Sequence, residues 1–442
     1  MSHIPEFVSA FKSKAERRRF GATRPSFRWF PLTLVAVAAL LATGLGLHSM
    51  AFGQPKDSDR DQVWVATWGA SPLAPVAANA ANPGFTNQTV RLIVHTSIGG
   101  NEVRVRLSNA FGTDSLTIGG ARIALRGMGA ETAPGTDRVL TFSGSGSMTI
   151  PPGALIVSDS VKLNMPALSD VAVSLYLPGP TGPATWHRMA QATNYVSPPG
   201  DFTGNAKMPV DHTVPSWFYL TDVEVKASKD TLAIMTFGDS ITDGNHSAPD
   251  TNHRWPDFLA ERLAAGHAKL AVVNEGIAGN RILHDLGGLG GPNGLARFDR
   301  DVLTQAGVGY VVVMLGINDI GHSTAGQPPE AVSADEIIAG DQQLIVRAHQ
   351  LGLKIIGCTM TPYEGANYFA ADGEVKRQTV NKFIRSSGAY DGIIDFDALV
   401  RDPSHPTRLL PMFDSGDHLH PNDAGYKAMA DAIDLSLFRR ER

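Results

Sequence analysis

A change of hydrophobic period near residue 230 constrains this chain more than any other feature. Upstream, from about 60 to 225, apolar and polar residues alternate over short runs. Residues 89–96 alternate, Gly99-Gly100-Asn101 supplies a turn, and 102–107 alternate again. That pattern predicts a hairpin with one buried and one wet face. Further short runs at 116–118, 121–125, 147–150, 160–163 and 171–177 are split by Gly, Pro and Ser, and no useful helical period intervenes. Many short strands with regular turns predict an all-β sandwich, jelly-roll-like, over 54–227.

Downstream the runs become continuous. Residues 232–237 are an apolar strand and 255–265 an amphipathic helix. Strands at 270–274, 310–315, 354–360 and 393–396 then alternate with helices at 295–303, 334–351, 375–387 and 423–435. Apolar strands alternating with helices predict a five-stranded parallel sheet covered on both faces, forming one α/β domain over 228–442. The single cysteine, Cys358, can form neither an internal disulfide nor a cysteine-built metal site, and its setting reads as a core strand.

Residues 1–53 read as an address. The first thirty carry seven Lys or Arg and two acids, and no charged residue follows Arg28 until Lys56. A basic leader, an apolar run and then Ser49-Met50-Ala51 predict a cleaved export signal, with an uncleaved anchor through residues 29–53 as the alternative. Arg17-Arg18-Arg19-Phe20 partly resembles a twin-arginine signal. Either way the body is expected outside the cytoplasm: periplasmic, extracellular, or membrane-anchored. The overall charge of −5 becomes −10 once the first thirty residues are set aside, which argues against nucleic acid as a partner.

In open parallel sheets, ligands sit beyond the carboxyl ends of the strands. Beyond the first strand come Gly238-Asp239-Ser240 and beyond the second Gly276-Ile277-Ala278-Gly279-Asn280. Gly316-Ile317-Asn318-Asp319 follows the third, and Asp417-His418-Leu419-His420 stands near the C-terminus. Read singly, these residues have ordinary uses. Ser240 could cap a helix, Asp417 a turn, and Asp239, Asn280 and Asp319 could brace strand ends. Arg281 reads as a loop-pairing arginine. His418 and His420 with Asp414 are metal-ligand types, yet no further ligand pair at helical spacing supports a metal centre.

Taken together and in order, the four blocks resemble those of the SGNH/GDSL hydrolases, a flavodoxin-like esterase superfamily. The resemblance covers roughly residues 230–436. It implies a three-layer α/β/α fold, Ser240 as nucleophile, His420 as base and Asp417 as its orienting acid. It also implies an oxyanion hole made by the Ser240 backbone N–H, Gly279 and Asn318, with no cofactor and no metal. The chemistry is coherent with these residue types. A serine hydroxyl is a poor nucleophile until a base takes its proton, and neutral histidine is available near pH 7. Asp417, three residues before His420, would share a face with it on a helical turn and hold the imidazole tautomer.

The expectation is an exported serine esterase acting on short-acyl carboxylic esters, among them acetyl groups on glycans, with a small-molecule or glycan ester as substrate. Glycan binding by the β region is expected beside it. The alternatives are a lipase or arylesterase, and an inactive glycan-binding protein.

Overall fold

The computed structural model describes residues 61–76, 82, 84–324 and 330–439. The expected address segment, 1–53, lies outside the described residues. No helix among the described residues is long and apolar enough to cross a membrane.

Between 61 and 228 the described chain forms strands and no helix, arranged as two large antiparallel sheets and two short pairs, Leu116–Ile118 with Met148–Ile150 and Trp186–His187 with Trp217–Phe218. One sheet runs in the order Gln62–Gly69, Leu220–Ser228, Gly100–Ser108, Leu155–Val157, with Val161–Met165 also pairing with Gly100–Ser108. The other runs His212–Val214, Asn194–Pro199, Gln88–His95, Asp170–Leu177, Gly120–Leu125, Arg138–Leu140. Alternate residues meet between the sheets: Val90, Leu92 and Val94 from one share a core with Val103, Val105, Leu107, Val223 and Val225 from the other.

The expected hairpin between 89–96 and 102–107 does not form. Gln88–His95 has partners on both edges, Asp170–Leu177 and Asn194–Pro199, so Gly100–Ser108 crosses into the opposite sheet. A side chain at Gly99 would meet the Met165 carbonyl at 2.3 Å, so the crossing turn has no room for one. The face expected to be wet is covered as well. Arg91 is fully buried there and donates to Ser174 Oγ and to the carbonyls of Ala130, Thr203 and Asn205. Burial pulls its guanidinium down to about 10. Loops drawn over the sheet supply those acceptors, and no local periodicity encodes them.

From Leu232 the chain builds a five-stranded parallel sheet in the order Leu270–Gly276, Leu232–Gly238, Val308–Met314, Lys354–Cys358, Gly392–Ile394. Successive residues point to opposite faces, and both faces are covered, which is why these strands read as unbroken apolar runs. Ala233, Met235 and Phe237 pack with Val311, Val313 and Ile355 against Ile337 and Leu344 of the helix Ala334–Gln350 and Val380 of Ala371–Ser386. Ile234, Val272, Val312 and Cys358 face the other way, against Trp255 and Leu259 of Trp255–Ala265 and Tyr426 and Met429 of Asp423–Asp431. Burial there pushes the Cys358 thiol well up.

Several expected elements differ at their ends. The helix expected over 295–303 is an α-helix, Gly294–Phe298, continuing as a π-helical turn, Asp299–Leu303. The last strand stops at Ile394 because Asp395 caps a new helix, Phe396–Val400. A two-stranded hairpin, Arg401–Asp402 with His405–Leu409, then leads to the last functional block.

The β and α/β regions pack on one another through apolar contacts, with Val65 and Ala66 in the α/β core and Ile277 in the β core, and through polar ones. Ala66 N donates to the Ala306 carbonyl at 2.9 Å, and Val272 N to Ser97 Oγ at 3.0 Å. Ser71 Oγ donates to Glu275 Oε2 at 2.6 Å, and Arg106 reaches Gln305 at 3.1 Å.

Candidate active site

The strand Leu232–Gly238 delivers the chain into a four-residue helix, Ser240–Asp243. Asp239, not Ser240, caps it: an Asp239 carboxylate oxygen accepts from Ile241 N at 3.1 Å. Ser240 is therefore free of the capping use open to it in isolation, and becomes the first helical residue. Burial pushes the Asp239 carboxyl up to about 7, against the pull of the Ile241 N–H. The helix lies hard against the neighbouring strand, where a side chain at Gly276 would meet Asp243 N at 2.3 Å.

His420 Nε2 stands 2.8 Å from Ser240 Oγ, and His420 Nδ1 stands 2.5 Å from Asp417 Oδ2. Ser240 and His420 are both buried. The Asp417–His420 link is not a helical turn, as the spacing had suggested, but a bend in which His418 takes φ +63°. What closes the bend is the carboxylate itself: Asp417 Oδ1 accepts from Leu419 N at 3.0 Å, from His420 N at 2.8 Å and from Ser415 Oγ at 3.1 Å. Burial by itself would raise Asp417. The His420 ring and backbone N–H outweigh it, with the Leu419 N–H, and hold the carboxyl well below its usual range. Asn245 Nδ2 also approaches His420 Nε2, at 3.3 Å. An amide donor at Nε2 fits the tautomer that carries its proton on Nδ1, toward Asp417.

Two hydrogen bonds tie the second block to the turn that carries Ser240, and the third block is tied in turn to the second. Ile277 N donates to the Gly238 carbonyl at 3.1 Å and Ala278 N to Asp243 Oδ2 at 2.9 Å. Gly279 follows at φ +80°, a conformation that favours glycine. Asn318 Nδ2 donates to the Asn280 carbonyl at 3.0 Å, and its Oδ1 accepts from the Tyr368 hydroxyl at 3.1 Å. The carboxamide is thus held with its oxygen toward Tyr368 and its nitrogen toward the second block. Asp319 braces that block, accepting from Ile282 N at 2.8 Å and Leu283 N at 3.0 Å, and burial pushes it up to about 6. Asn280 donates to the Gly290 and Pro292 carbonyls. Arg281 is buried and pairs with Glu330 at 2.9 Å and with the carbonyls of His284 and Asp285.

Five contributors carried no sequence signal strong enough to name them. Arg297, fully buried, donates to the Gly238 and Glu275 carbonyls, to Asn280 Oδ1 and to Ser71 Oγ, tying two strand ends, the second block and the β region together. His187, from the β region, sits 3.0 Å from Asp243 Oδ1. Tyr368 comes from a distant loop. Asn245 and His246 directly follow Gly244, and their place right after the nucleophile block was the one available clue. The His246 ring stacks on His420 with centroids 5.2 Å apart, and its Nε2 lies 3.3 Å from Asp417 Oδ2. His246, Asp417 and His420 are of types that can hold a metal ion, with ligand atoms within 4.8 Å of one another. His418 instead pairs with Asp414 at 2.6 Å.

Residues 236–428 match the model of the GDSL-like lipase/acylhydrolase family. Among solved structures, the chain is similar to a mutant form of an acetyl-xylooligosaccharide esterase from Geobacillus stearothermophilus. The identity is 25%, covering 48% of this chain and 97% of that one, with a TM-score of 0.37. It is also similar to a GDSL-like lipase from Bacteroides thetaiotaomicron, at 19% identity, 48% and 90% coverage and a TM-score of 0.36. No curated protein matches the chain.

Proposed function

With residues 236–428 matching the model of the GDSL-like lipase/acylhydrolase family, we propose that this chain is a serine esterase that hydrolyses short-acyl carboxylic esters through an acyl-enzyme. The observation that carries the reading is the continuous line of hydrogen bonds from Ser240 Oγ through His420 to Asp417. In this scheme His420 Nε2 takes the hydroxyl proton as Ser240 Oγ attacks the ester carbonyl. Asp417 holds the ring and stabilises the imidazolium. The Ser240 and Gly279 backbone N–H groups and Asn318 Nδ2 receive the oxyanion, each such donor being worth ~3 kcal/mol. His420 then protonates the departing alcohol, and water repeats the sequence in reverse to free the acid.

The preference for short chains rests on what lines the approach. A long acyl tail needs apolar surface, since each buried methylene contributes about 0.8 kcal/mol only where it meets such surface. The tyrosines of the loop 363–369 are already engaged in contacts, one of them at the site itself. Tyr363 is fully buried and packs on Phe369 with centroids 5.0 Å apart, and Tyr368 lies against Gly321 with its hydroxyl on Asn318. The other loops beside the site, 280–294 and 321–323, are rich in glycine and polar residues. We further propose that the body acts outside the cytoplasm, and that the β region recognises glycan.

The test is kcat/KM across p-nitrophenyl acetate, butyrate, octanoate and palmitate, with acetylated glycans in the same panel. Short chains should be preferred, and Ser240→Ala should remove turnover while leaving the fold intact. A maximum at octanoate or beyond would move the reading to a lipase. Residual turnover above a few per cent in the Ser240→Ala protein would overturn the nucleophile assignment.

A further inference from the structure

We propose that His246, Asp417 and His420 form an inhibitory zinc site laid over the catalytic pair. Two imidazole nitrogens and one carboxylate are a donor set suited to zinc, and one that Mg²⁺ and Ca²⁺, which take oxygen ligands, do not favour. Around a tetrahedral zinc with bonds of ~2.0–2.2 Å, ligand atoms lie roughly 3.3–3.5 Å apart. His246 Nε2 and Asp417 Oδ2 already stand at 3.3 Å. His420 Nδ1 stands 2.5 Å from the same oxygen, so admitting the ion requires that pair to open by less than about 1 Å. Asp417 can turn Oδ2 toward a cation without releasing the bend, because Oδ1 alone accepts the Leu419 and His420 N–H groups. The His246 side chain is 45% exposed and that of Asp417 34%, which leaves a path for the ion and a fourth position for water.

Inhibition follows from the tautomer. In the active arrangement the neutral His420 ring carries its proton on Nδ1 and accepts at Nε2. Zinc on Nδ1 needs that nitrogen's lone pair, so the proton moves to Nε2 and the ring stays neutral, with no net proton released. Nε2 then presents an N–H to Ser240 Oγ and can no longer take its proton. The ring need not leave its place for activity to stop. The effect on turnover rests on His420 being the general base, whereas binding of the ion does not.

The test uses the full-length protein and ZnCl₂. Low-micromolar zinc should inhibit hydrolysis of p-nitrophenyl acetate, EDTA should restore it, and equal Mg²⁺ or Ca²⁺ should leave it unchanged. His246→Asn is the chosen variant, because asparagine tolerates the φ of +65° found at this position. Relative to its own zinc-free rate, its half-inhibitory concentration should rise at least tenfold, whereas His418→Asn, which tolerates the φ of +63° there for the same reason, should keep wild-type sensitivity. A second readout needs no activity. The Ser240→Ala protein should bind one zinc in competition with a fluorescent chelator, and the Ser240→Ala/His246→Asn protein should lose that binding. Unchanged inhibition in His246→Asn, loss of sensitivity in His418→Asn, or no zinc bound by Ser240→Ala would each overturn the site. An enzyme without esterase activity that still bound zinc through His246 would overturn the proposed function and leave the site standing.

Discussion

A carboxamide can present either its oxygen or its nitrogen to a substrate, and at Asn318 the Asn280 carbonyl and the Tyr368 hydroxyl together decide which. The Tyr368 O–H donates to Asn318 Oδ1, so Nδ2 is the end turned toward the second block. Removing the hydroxyl in Tyr368→Phe should lower kcat about tenfold and leave KM nearly unchanged. The reason is that a donor to the oxyanion acts in the transition state and hardly at all on bound substrate. Equal changes in kcat and KM, or none, would show that Tyr368 does not set this orientation. Asp341 is a second residue-scale case. It is buried on the helix Ala334–Gln350, and burial pushes its carboxyl up to about 7, against a hydrogen bond from Tyr390 that pulls it down. The folded state therefore holds this proton more tightly than the unfolded chain, where the carboxyl titrates near ~4. Its contribution to stability is complete below that value and is lost as pH rises toward 7. Asp341→Asn, which cannot ionise, should gain several degrees of Tm over wild type at pH 8 and little at pH 5. A Tm difference independent of pH would contradict this.

At the scale of elements, the helix Ser240–Asp243 is too short to persist alone, since its few intrahelical bonds cannot offset nucleation. Its neighbours hold it. Asp239 caps the start, Gly244 ends it at φ +92°, and Arg254 Nε donates to the Asp243 carbonyl at 3.0 Å. Asp243 is also the element's link to the rest of the site, with Ala278 N on one carboxylate oxygen and His187 on the other. Through Asp243, His187 of the β region is thus linked to the turn that carries Gly279. His187→Ala should lower kcat several-fold with KM little changed, while circular dichroism shows the fold retained. Wild-type kcat in this variant would mean that the bridge positions nothing that matters to turnover.

For the whole molecule, the polar contacts between the β and α/β regions make the β region part of the setting of the site. Arg297 is the plainest case, as one buried guanidinium serves Gly238, Glu275, Asn280 and Ser71. The proposed export is also to be tested on the whole chain. If residues 1–53 are a cleaved signal, the mature protein should begin between Ala51 and Asp57, after the small residues that follow the apolar run. N-terminal sequencing of the exported protein checks this, and an intact Met1 on membrane-bound protein would indicate an anchor instead.

By itself the sequence determined the class of both regions and the identity of the four strand-end blocks. Those are local properties: a strand covered on both faces reads as an apolar run, and a residue at a strand's end stands where open sheets bind ligands. Ser240 and His420, 180 residues apart, could be paired on paper because their blocks are separately recognisable. Strand partners were another matter. Gln88–His95 alternates as a hairpin strand should, yet pairing is settled by which edges are free, and Asp170–Leu177 and Asn194–Pro199 occupy both. Arg91 lies buried because distant loops bring carbonyls to it. The tertiary structure alone also decided the supporting residues. Tyr368 is 50 positions from Asn318 and His187 56 from Asp243, and neither sits in a pattern that marks it. Periodicity and motifs record what a residue's own element requires, whereas the partners of a buried polar group are chosen by how the elements pack.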